Sequence, residues 1–404
     1  MIPPAAVDGA GGGRALHVCL IAGEHSGDHM GAMMMRALVA RTAGRIRFSG
    51  IGGAEMAAAG GALGFRSFFP MEEIAIGGIL EVLPHVPRVL RRVRGTARKV
   101  RALGPDVLVT IDSPDFAFRV GKRLRGSGIP HVHYVAPTVW AWRPGRASMV
   151  AGFLSHLLTI FPFENPYFEK WGLPCTFVGH PTAEMGFERG DGAGFRDRYG
   201  LDAEQPLLCV LPGSRRAEVR RHLPVFKGTV RRLKARFPDL AVTVPTVATV
   251  RDEVASAVAA WPAPAVVTEG LSDKRDAFAA ADLALAASGT VTYELAMAAV
   301  PMVITYRMSP LTVAVIRSMI RTKYVSVVNI VLGREVAPEF VQEACSADKL
   351  EPALAALLAD ADARRRQRDD LEKVASALGR GGPPPSETAA GAILSVIRSR
   401  MAGV

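Results

Sequence analysis

Cysteine is scarce: the 404-residue chain has four, Cys19, Cys175, Cys209 and Cys345, with no C-x-x-C pair. That spacing excludes a disulfide framework and a cysteine-rich zinc site, and it suits a reducing compartment. Aromatic residues make up only 7% of the chain. The basic stretch Arg88–Arg101 has none at all, which argues against the stacking platforms of a nucleic-acid binder. Long apolar runs are missing too. The longest charge-free windows, Gly126–Trp142 and Ala147–Phe163, are 17 residues each and are interrupted by Pro, Ser, Thr and His. Neither matches the roughly 20 apolar residues that cross a bilayer. The Gly/Ala/Pro-rich start, Met1–Gly13, lacks the basic and apolar regions of a signal peptide, so residues 1–14 read as a flexible tail. A Walker G-K-[ST] and a G-x-G-x-x-G after the first apolar run are also absent, which disfavours a P-loop kinase and a dinucleotide-binding dehydrogenase. Acid is short in the first half: of the net charge of +11, residues 1–182 carry +8. That half attracts anions, whether phospholipid or phosphorylated substrate.

What is present is a globular composition, 49% hydrophobic and 22% charged, over a length that favours two domains. Short apolar runs alternate with helix-length segments throughout. Leu16–Ala22, Asp106–Ile111, His131–Val135 and Leu157–Phe161 read as buried strands in the first half. Leu207–Leu211, Ala241–Val244, Ala265–Thr268, Asp282–Ala286 and Met302–Tyr306 do so in the second. Gly31–Arg41, Val86–Ala102, Pro224–Arg236 and Val291–Ala299 read as helices between them, and Gly179–Gly194 as a linker. The pattern predicts α/β domains built from right-handed βαβ units, with ligands beyond the carboxyl ends of the strands.

Four segments sit at those strand ends. Gly23-Glu24-His25-Ser26-Gly27-Asp28 offers a tight turn in which Ser26 or Asp28 can cap the following helix. His25 and His29 are four apart beside Asp28, but no third ligand is evident and no metal is expected. Asp112-Ser113-Pro114-Asp115-Phe116 puts an acid at the mouth of a buried strand, suited either to capping a loop or to general-base work. Gly213-Ser214-Arg215 pairs a small-residue turn at a helix N-terminus with a cation, a phosphate-binding combination. Ser288-Gly289-Thr290, with Glu294 one turn into the next helix, repeats the device. Together the last two suggest a nucleotide-diphosphate site. The one D-x-D, Asp360-Ala361-Asp362, lies in an Arg-rich helical stretch and reads as a surface face.

With these residues in view, the chain resembles the lipid-A-disaccharide synthase family of nucleotide-sugar glycosyltransferases, from about His17 to Leu350. The resemblance rests on Ala22-Gly23-Glu24 with Ser26-Gly27-Asp28, Gly50-Ile51-Gly52-Gly53 with Met56, and Met71-Glu72-Glu73. It continues through Ile111-Asp112-Ser113-Pro114-Asp115-Phe116, His133-Tyr134-Val135-Ala136-Pro137, Val139-Trp140-Ala141-Trp142-Arg143 and Phe161-Pro162-Phe163-Glu164. Gly179-His180-Pro181, Leu211-Pro212-Gly213-Ser214-Arg215, Ala287-Ser288-Gly289-Thr290 with Glu294, and Tyr324-Val325-Ser326 complete it. Glu184 departs from the pattern, standing where the family usually has Asp. An epimerase or peptidoglycan glycosyltransferase of the same architecture would share the nucleotide turns but not the V-W-A-W-R and I-D-S-P-D-F segments together.

The resemblance implies a GT-B architecture, two facing Rossmann-like doubly wound domains. The expected limits are 15–182 for the acceptor domain and 183–365 for the UDP-sugar domain, with helices in 366–404 packing back on the first. It implies transfer from UDP-2,3-diacylglucosamine to 2,3-diacylglucosamine 1-phosphate, with inversion, giving the β-1′,6 disaccharide 1-phosphate and UDP in lipid A biosynthesis. No cofactor is expected, the UDP-sugar being a substrate. By the same route Asp112 is expected as base on the acceptor hydroxyl and Arg215 as the group stabilising the leaving diphosphate. Gly213, Ser214, Ser288, Gly289, Thr290, Glu294, Asn329 and Arg334 are expected around UDP. Glu24, Ser26 and Asp28 are expected on the acceptor side. The seven basic residues of Arg88–Arg101, with Phe68, Phe69 and Ile74–Leu80 before them, suit an anionic membrane surface. Phe68, Phe69, Arg88, Arg91, Arg92 and Arg98 are the expected contacts there, on the inner face of the inner membrane. Nucleic acid is not expected as a partner, and a homodimer is possible.

Overall fold

The computed structural model describes residues 14–74, 86–309 and 322–403. Residues 1–13 of the expected tail and 75–80 of the apolar segment lie outside the described residues. Arg14, the last residue of that tail, is anchored: its Nη1 donates to Asp106 Oδ2 at 3.1 Å.

The first parallel sheet contains β1 (Leu16–Ala22), β2 (Ile46–Ile51), β3 (Val107–Ile111), β4 (His131–Tyr134), β5 (His156–Thr159) and β6 (Cys175–Phe177). Their order is β2-β1-β3-β4-β5-β6. The second parallel sheet contains β7 (Leu207–Leu211), β8 (Ala241–Thr246), β9 (Ala265–Glu269), β10 (Leu283–Ala287), β11 (Met302–Tyr306) and β12 (Glu339–Val341). Its order is β12-β11-β10-β7-β8-β9, the dinucleotide-fold order. β3, β7 and β10 are buried along their whole length, as strands covered on both faces are. Leu208, Val210, Phe226, Val230, Leu350 and Leu354 belong to the core that helices build on the second sheet.

The three strands with no counterpart in the sequence reading, β2, β6 and β12, are all sheet edges. Edge strands bury less, so they lose the continuous apolar run: β2 carries exposed Arg47, and β6 and β12 span three residues each. Helix starts also differ. The helix placed from Pro224 begins at Arg216 and runs to Arg236 with the proline inside it. Proline favours a first turn, but here Val219, His222 and Leu223 bury the preceding turns and hold them helical. The helix placed from Gly31 begins at His25.

The chain divides into two compact units, Met1–Pro181 with Pro383–Val404, and Thr182–Gly382. The return to the first unit was expected at residue 366; it begins at Pro383. Helix Ala361–Ala377 stays with the second unit because Gln367 is buried there, bonding the backbone N–H and carbonyl of Met302 and the carbonyl of Val336. Helix Pro385–Met401 packs on His25–Arg41, and Arg400 donates to the Asp106 carbonyl at 3.2 Å.

Candidate active site

In each sheet the strand order reverses direction between two neighbours, β1 and β3 in the first and β7 and β10 in the second. Such switch points open a crevice at the carboxyl ends. The register pairs Leu211 with Ala286, so the turn after β7 and the turn after β10 leave the second sheet side by side. Both border one cavity of about 670 Å³, lined by Gly213, Ser214, Arg215, Ser288, Gly289, Thr290 and Glu294 among others. Two helices begin at this edge, Arg216–Arg236 and Thr290–Met297, and neither has a side-chain cap. Their first N–H groups and positive dipole ends are therefore open to an anion. Gly213 holds φ +117°, a conformation other residues resist, and an added Cβ would come within 3.0 Å of Glu218. Arg215 is largely exposed; its Nη1 donates to Glu218 Oε1 at 3.0 Å, an oxygen that also accepts from the Tyr306 hydroxyl at 3.3 Å. Glu294 is buried and paired with Lys274.

In the first unit, Ala22 pairs with Ile111, which starts the Gly23–Asp28 and Asp112–Ser113 turns together. They touch so closely that a Cβ on Gly23 would meet Ser113 Oγ at 2.3 Å. Asp112 and Ser113 hold φ of +50° and +45°, and Val135 after β4 holds +76°. Left-handed backbone at a non-glycine residue costs on the order of 1–3 kcal/mol, and such strain gathers at functional sites. Burial pushes the Asp112 carboxyl above its ordinary range, with the Ser113 backbone pulling it back more weakly. Glu24 and Ser26 are exposed at the same edge.

Several expected roles change once contacts are in view. Neither Ser26 nor Asp28 caps the helix that begins at His25. Asp28 is buried and accepts from the N–H groups of Gly53 (2.7 Å), Glu55 (3.0 Å) and Met56 (3.1 Å). It therefore closes the N-terminus of helix Ala54–Gly60. Asn329 is fully buried; its amide donates to Ala337 O and Glu339 Oε1 and accepts from Val336 and Ala337 N–H. Arg334 pairs with Asp370 at 2.6 Å. Neither lines the cavity: Asn329 ties together its own local segment, and Arg334 pairs that segment with helix Ala361–Ala377. His29 pairs with exposed Glu55 at 2.7 Å, and no group of three metal-ligating side chains occurs among the described residues.

The expected membrane contacts divide as well. Arg88, Arg91 and Arg98 are exposed. Arg92 is bound by Glu73 through two bonds, 2.8 and 2.6 Å, and its guanidinium lies 4.5 Å over the Phe69 ring. Phe69 is buried edge-on against Phe116. Phe69 therefore serves the core and Arg92 is held across it by Glu73, whereas half-buried Phe68 lies under Lys99.

Two groups of residues at these edges carry no role in the sequence reading. The first is the far wall of the cavity, Thr246–Ala248 after β8, Glu269–Leu271 after β9, and Lys274. The strand-end rule points to both loops, since Val247 follows β8 and Gly270 follows β9 directly. The second is Glu164, fully buried after β5, which accepts from Trp140 Nε1 (3.1 Å), Ile160 N–H (3.2 Å) and Phe161 N–H (3.1 Å). Burial pushes its carboxyl up to about 7 against the pull of those donors. Phe161 stacks on Phe163 and His180, with Trp140 edge-on. The local motif Phe161-Pro162-Phe163-Glu164 places this acid beside two rings, but Trp140 and His180 join them only in the fold.

Comparison with known proteins agrees with this architecture. Residues 18–390 match the family model described as lipid-A-disaccharide synthetase. The lipid-A-disaccharide synthase of Rhodospirillum centenum is 51% identical over 390 residues, covering 96% of each chain. Among solved structures, MurG of Acinetobacter baumannii superposes with a TM-score of 0.59 at 14% identity, over 94% of this chain and 99% of that one. MnaA of S. aureus, solved with UDP, superposes with a TM-score of 0.63 at 12% identity, over 96% and 98%. These likenesses show the GT-B fold.

Proposed function

We propose a working mechanism for this chain from one premise: it belongs to the lipid-A-disaccharide synthase family. It is accordingly an enzyme, a glycosyltransferase of lipid A biosynthesis with the GT-B fold. The donor is UDP-2,3-diacylglucosamine and the acceptor 2,3-diacylglucosamine 1-phosphate. One observation carries the donor assignment: two uncapped helix N-termini, a left-handed glycine turn and an exposed arginine border one cavity of about 670 Å³ at a switch point. That combination suits a diphosphate.

In this mechanism the acceptor 6-hydroxyl oxygen forms a bond to the anomeric carbon. The bond from that carbon to the diphosphate oxygen breaks on the opposite side, and its electron pair leaves with UDP. The hydroxyl proton passes to the Asp112 carboxylate, whose raised proton affinity favours accepting it. Arg215 and the N–H groups of the Gly213–Ser214 turn stabilise charge growing on the diphosphate. Ser288, Gly289 and Thr290 add donors, and Glu294, oriented by Lys274, accepts from ribose hydroxyls. Glu24 and Ser26, beside Asp112, border the acceptor. Incubating the protein with both diacylated substrates and analysing the products by mass spectrometry tests this reading. The tetraacyl disaccharide 1-phosphate and UDP are expected; UDP without the disaccharide would remove the acceptor assignment.

The acceptor's acyl chains belong in a bilayer, so the same proposal brings the first unit to an anionic membrane surface. No helix among the described residues is long and apolar enough to cross one. Arg94, Arg98, Arg101 and Arg123 line a cleft of about 490 Å³ with no acid among the described residues lining it, and Arg88 and Arg91 extend the basic face. Each cation near an anionic leaflet contributes about 1 kcal/mol, enough for peripheral binding at the inner face of the inner membrane.

A further inference from the structure

His222 lies outside the cavity lining and has no role in the mechanism above, yet its ring is fully buried and both ring nitrogens are bonded to backbone. The Arg307 N–H donates to Nε2 at 3.1 Å. Nε2 therefore carries a lone pair, and in the neutral ring the hydrogen sits on Nδ1. Nδ1 lies 2.9 Å from the Pro212 carbonyl oxygen and donates to it. Phe226 stacks on the ring at 5.5 Å and 18°, and Tyr306 lies against it at 6.0 Å.

The two anchor points are far apart in sequence and belong to different strand ends. Pro212 follows β7 and opens the Gly213-Ser214 turn; Arg307 follows β11. β10 lies between these strands in the sheet, and its own turn is Ser288–Thr290. The imidazole thus ties together the two strand ends that flank the second phosphate-type turn. Its effect on the first turn is geometric. The Pro212–Gly213 peptide is a rigid trans plane, so its carbonyl and the Gly213 N–H point in opposite directions. Holding the carbonyl on His222 holds the Gly213 N–H on the other side of the plane. At φ +117° Gly213 has few steric constraints of its own, so an external hold is what gives that N–H one direction.

We propose that His222, as the neutral Nδ1–H tautomer, is a positioning residue for the diphosphate turn, fixing the Pro212–Gly213 peptide and with it the Gly213 N–H. This rests on the reading of the cavity as the UDP site. The test uses the full chain in three forms: wild type, His222→Phe and His222→Gln. Phenylalanine keeps the ring volume against Phe226 and removes both bonds. Glutamine can offer an amide N–H to Pro212 and an oxygen to Arg307. UDP affinity by calorimetry is expected to fall roughly tenfold in His222→Phe, the consequence of losing one well-aimed hydrogen bond from the Gly213 N–H to the diphosphate, with KM for the UDP-sugar rising in step. His222→Gln is expected to recover most of that loss. A purely structural histidine would lower the melting temperature and leave UDP affinity alone. UDP affinity within twofold of wild type in a folded His222→Phe chain would overturn the proposal, as would a His222→Gln chain no better than the Phe variant. A measurement that needs no variant is the ring nitrogen NMR spectrum of the wild type at pH 7. The Nδ1–H tautomer is expected for His222; the Nε2–H tautomer or an imidazolium would overturn it. Failure of wild type to bind UDP at all would instead overturn the site reading beneath it.

Discussion

The two sheets solve the same topological problem and finish their carboxyl edges in opposite ways. The first edge leaves Glu24 exposed but withdraws other titratable groups from water: Asp112 is half-buried, Glu164 fully so, and His180 is stacked under Phe161. The second edge leaves its cation and hydroxyls open, with Arg215, Ser214 and Thr290 exposed around a broad cavity. The difference is electrostatic. Desolvation disfavours an ionised carboxyl and raises its affinity for a proton, which a general base can use. Exposed guanidinium and helix N-termini keep their positive character, which a diphosphate requires. On the proposed mechanism one architecture accommodates both halves of the transfer, because the sites are carried by loops and not by the sheets.

The largest expected effect separates the two edges chemically. Asp112→Asn should lower turnover by about a thousandfold while UDP affinity stays within twofold, read by steady-state kinetics and calorimetry. Near-normal turnover would remove the proton-accepting role and leave the strained Asp112–Ser113 turn without a chemical purpose. Arg215→Ala acts on the other edge and should cost about a hundredfold in kcat/KM, with UDP affinity falling too. A loss confined to the acceptor KM would show that the edges are not divided as argued. Asp28→Ala should lower unfolding stability by about 2 kcal/mol in urea titration, because three backbone N–H groups lose their acceptor. A stability change under 0.5 kcal/mol together with a raised acceptor KM would return Asp28 to the acceptor side.

The most general prediction concerns acid. Burial lowers His131, His133 and His180 in the first unit to about 3 each. As pH falls below the ordinary value near 6.5, the unfolded chain binds protons that the folded one refuses. Stability then falls as pH drops from about 6.5 toward about 3. Glu164, raised to about 7, runs the other way: its contribution is complete below about 4.5 and is lost as pH rises through 7. Three histidines outweigh one glutamate between pH 6.5 and 4.5. Hydrogen exchange at pH 7 and pH 5 should therefore find the first unit loosening before the second, where burial lowers His222 alone among the described histidines. Equal loosening would erase the contrast in this respect.

The strand-end residues were legible because a buried parallel strand announces itself as an apolar run, and whatever follows it must sit at the edge. Leu207–Leu211 and Met302–Tyr306 match the reading residue for residue, and Gly213–Arg215 and Ser288–Thr290 follow from that rule. Edge strands β2, β6 and β12 were not legible, since a short, partly covered strand needs no continuous apolar sequence. Glu164 and His222 escaped for a related reason. Their significance lies in what surrounds them: three donors and a ring cluster for one, two backbone groups 10 and 85 residues away for the other.

The scarcity of cysteine, the basic first half and the alternation of apolar runs are written in the chain, and they determined its class, its two sheets and the turns that carry chemistry. Which polar side chain faces a ligand and which closes the fold was decided only in three dimensions. Asp28, Arg334 and Arg92 resemble site residues by type and position, yet each is held by partners well removed along the chain, and Asn329 is held by backbone several residues on. Local sequence sets backbone conformation and the rhythm of burial. The partner of a hydrogen bond depends on which distant segments the fold brings within 3 Å, and no short stretch of sequence contains that distance.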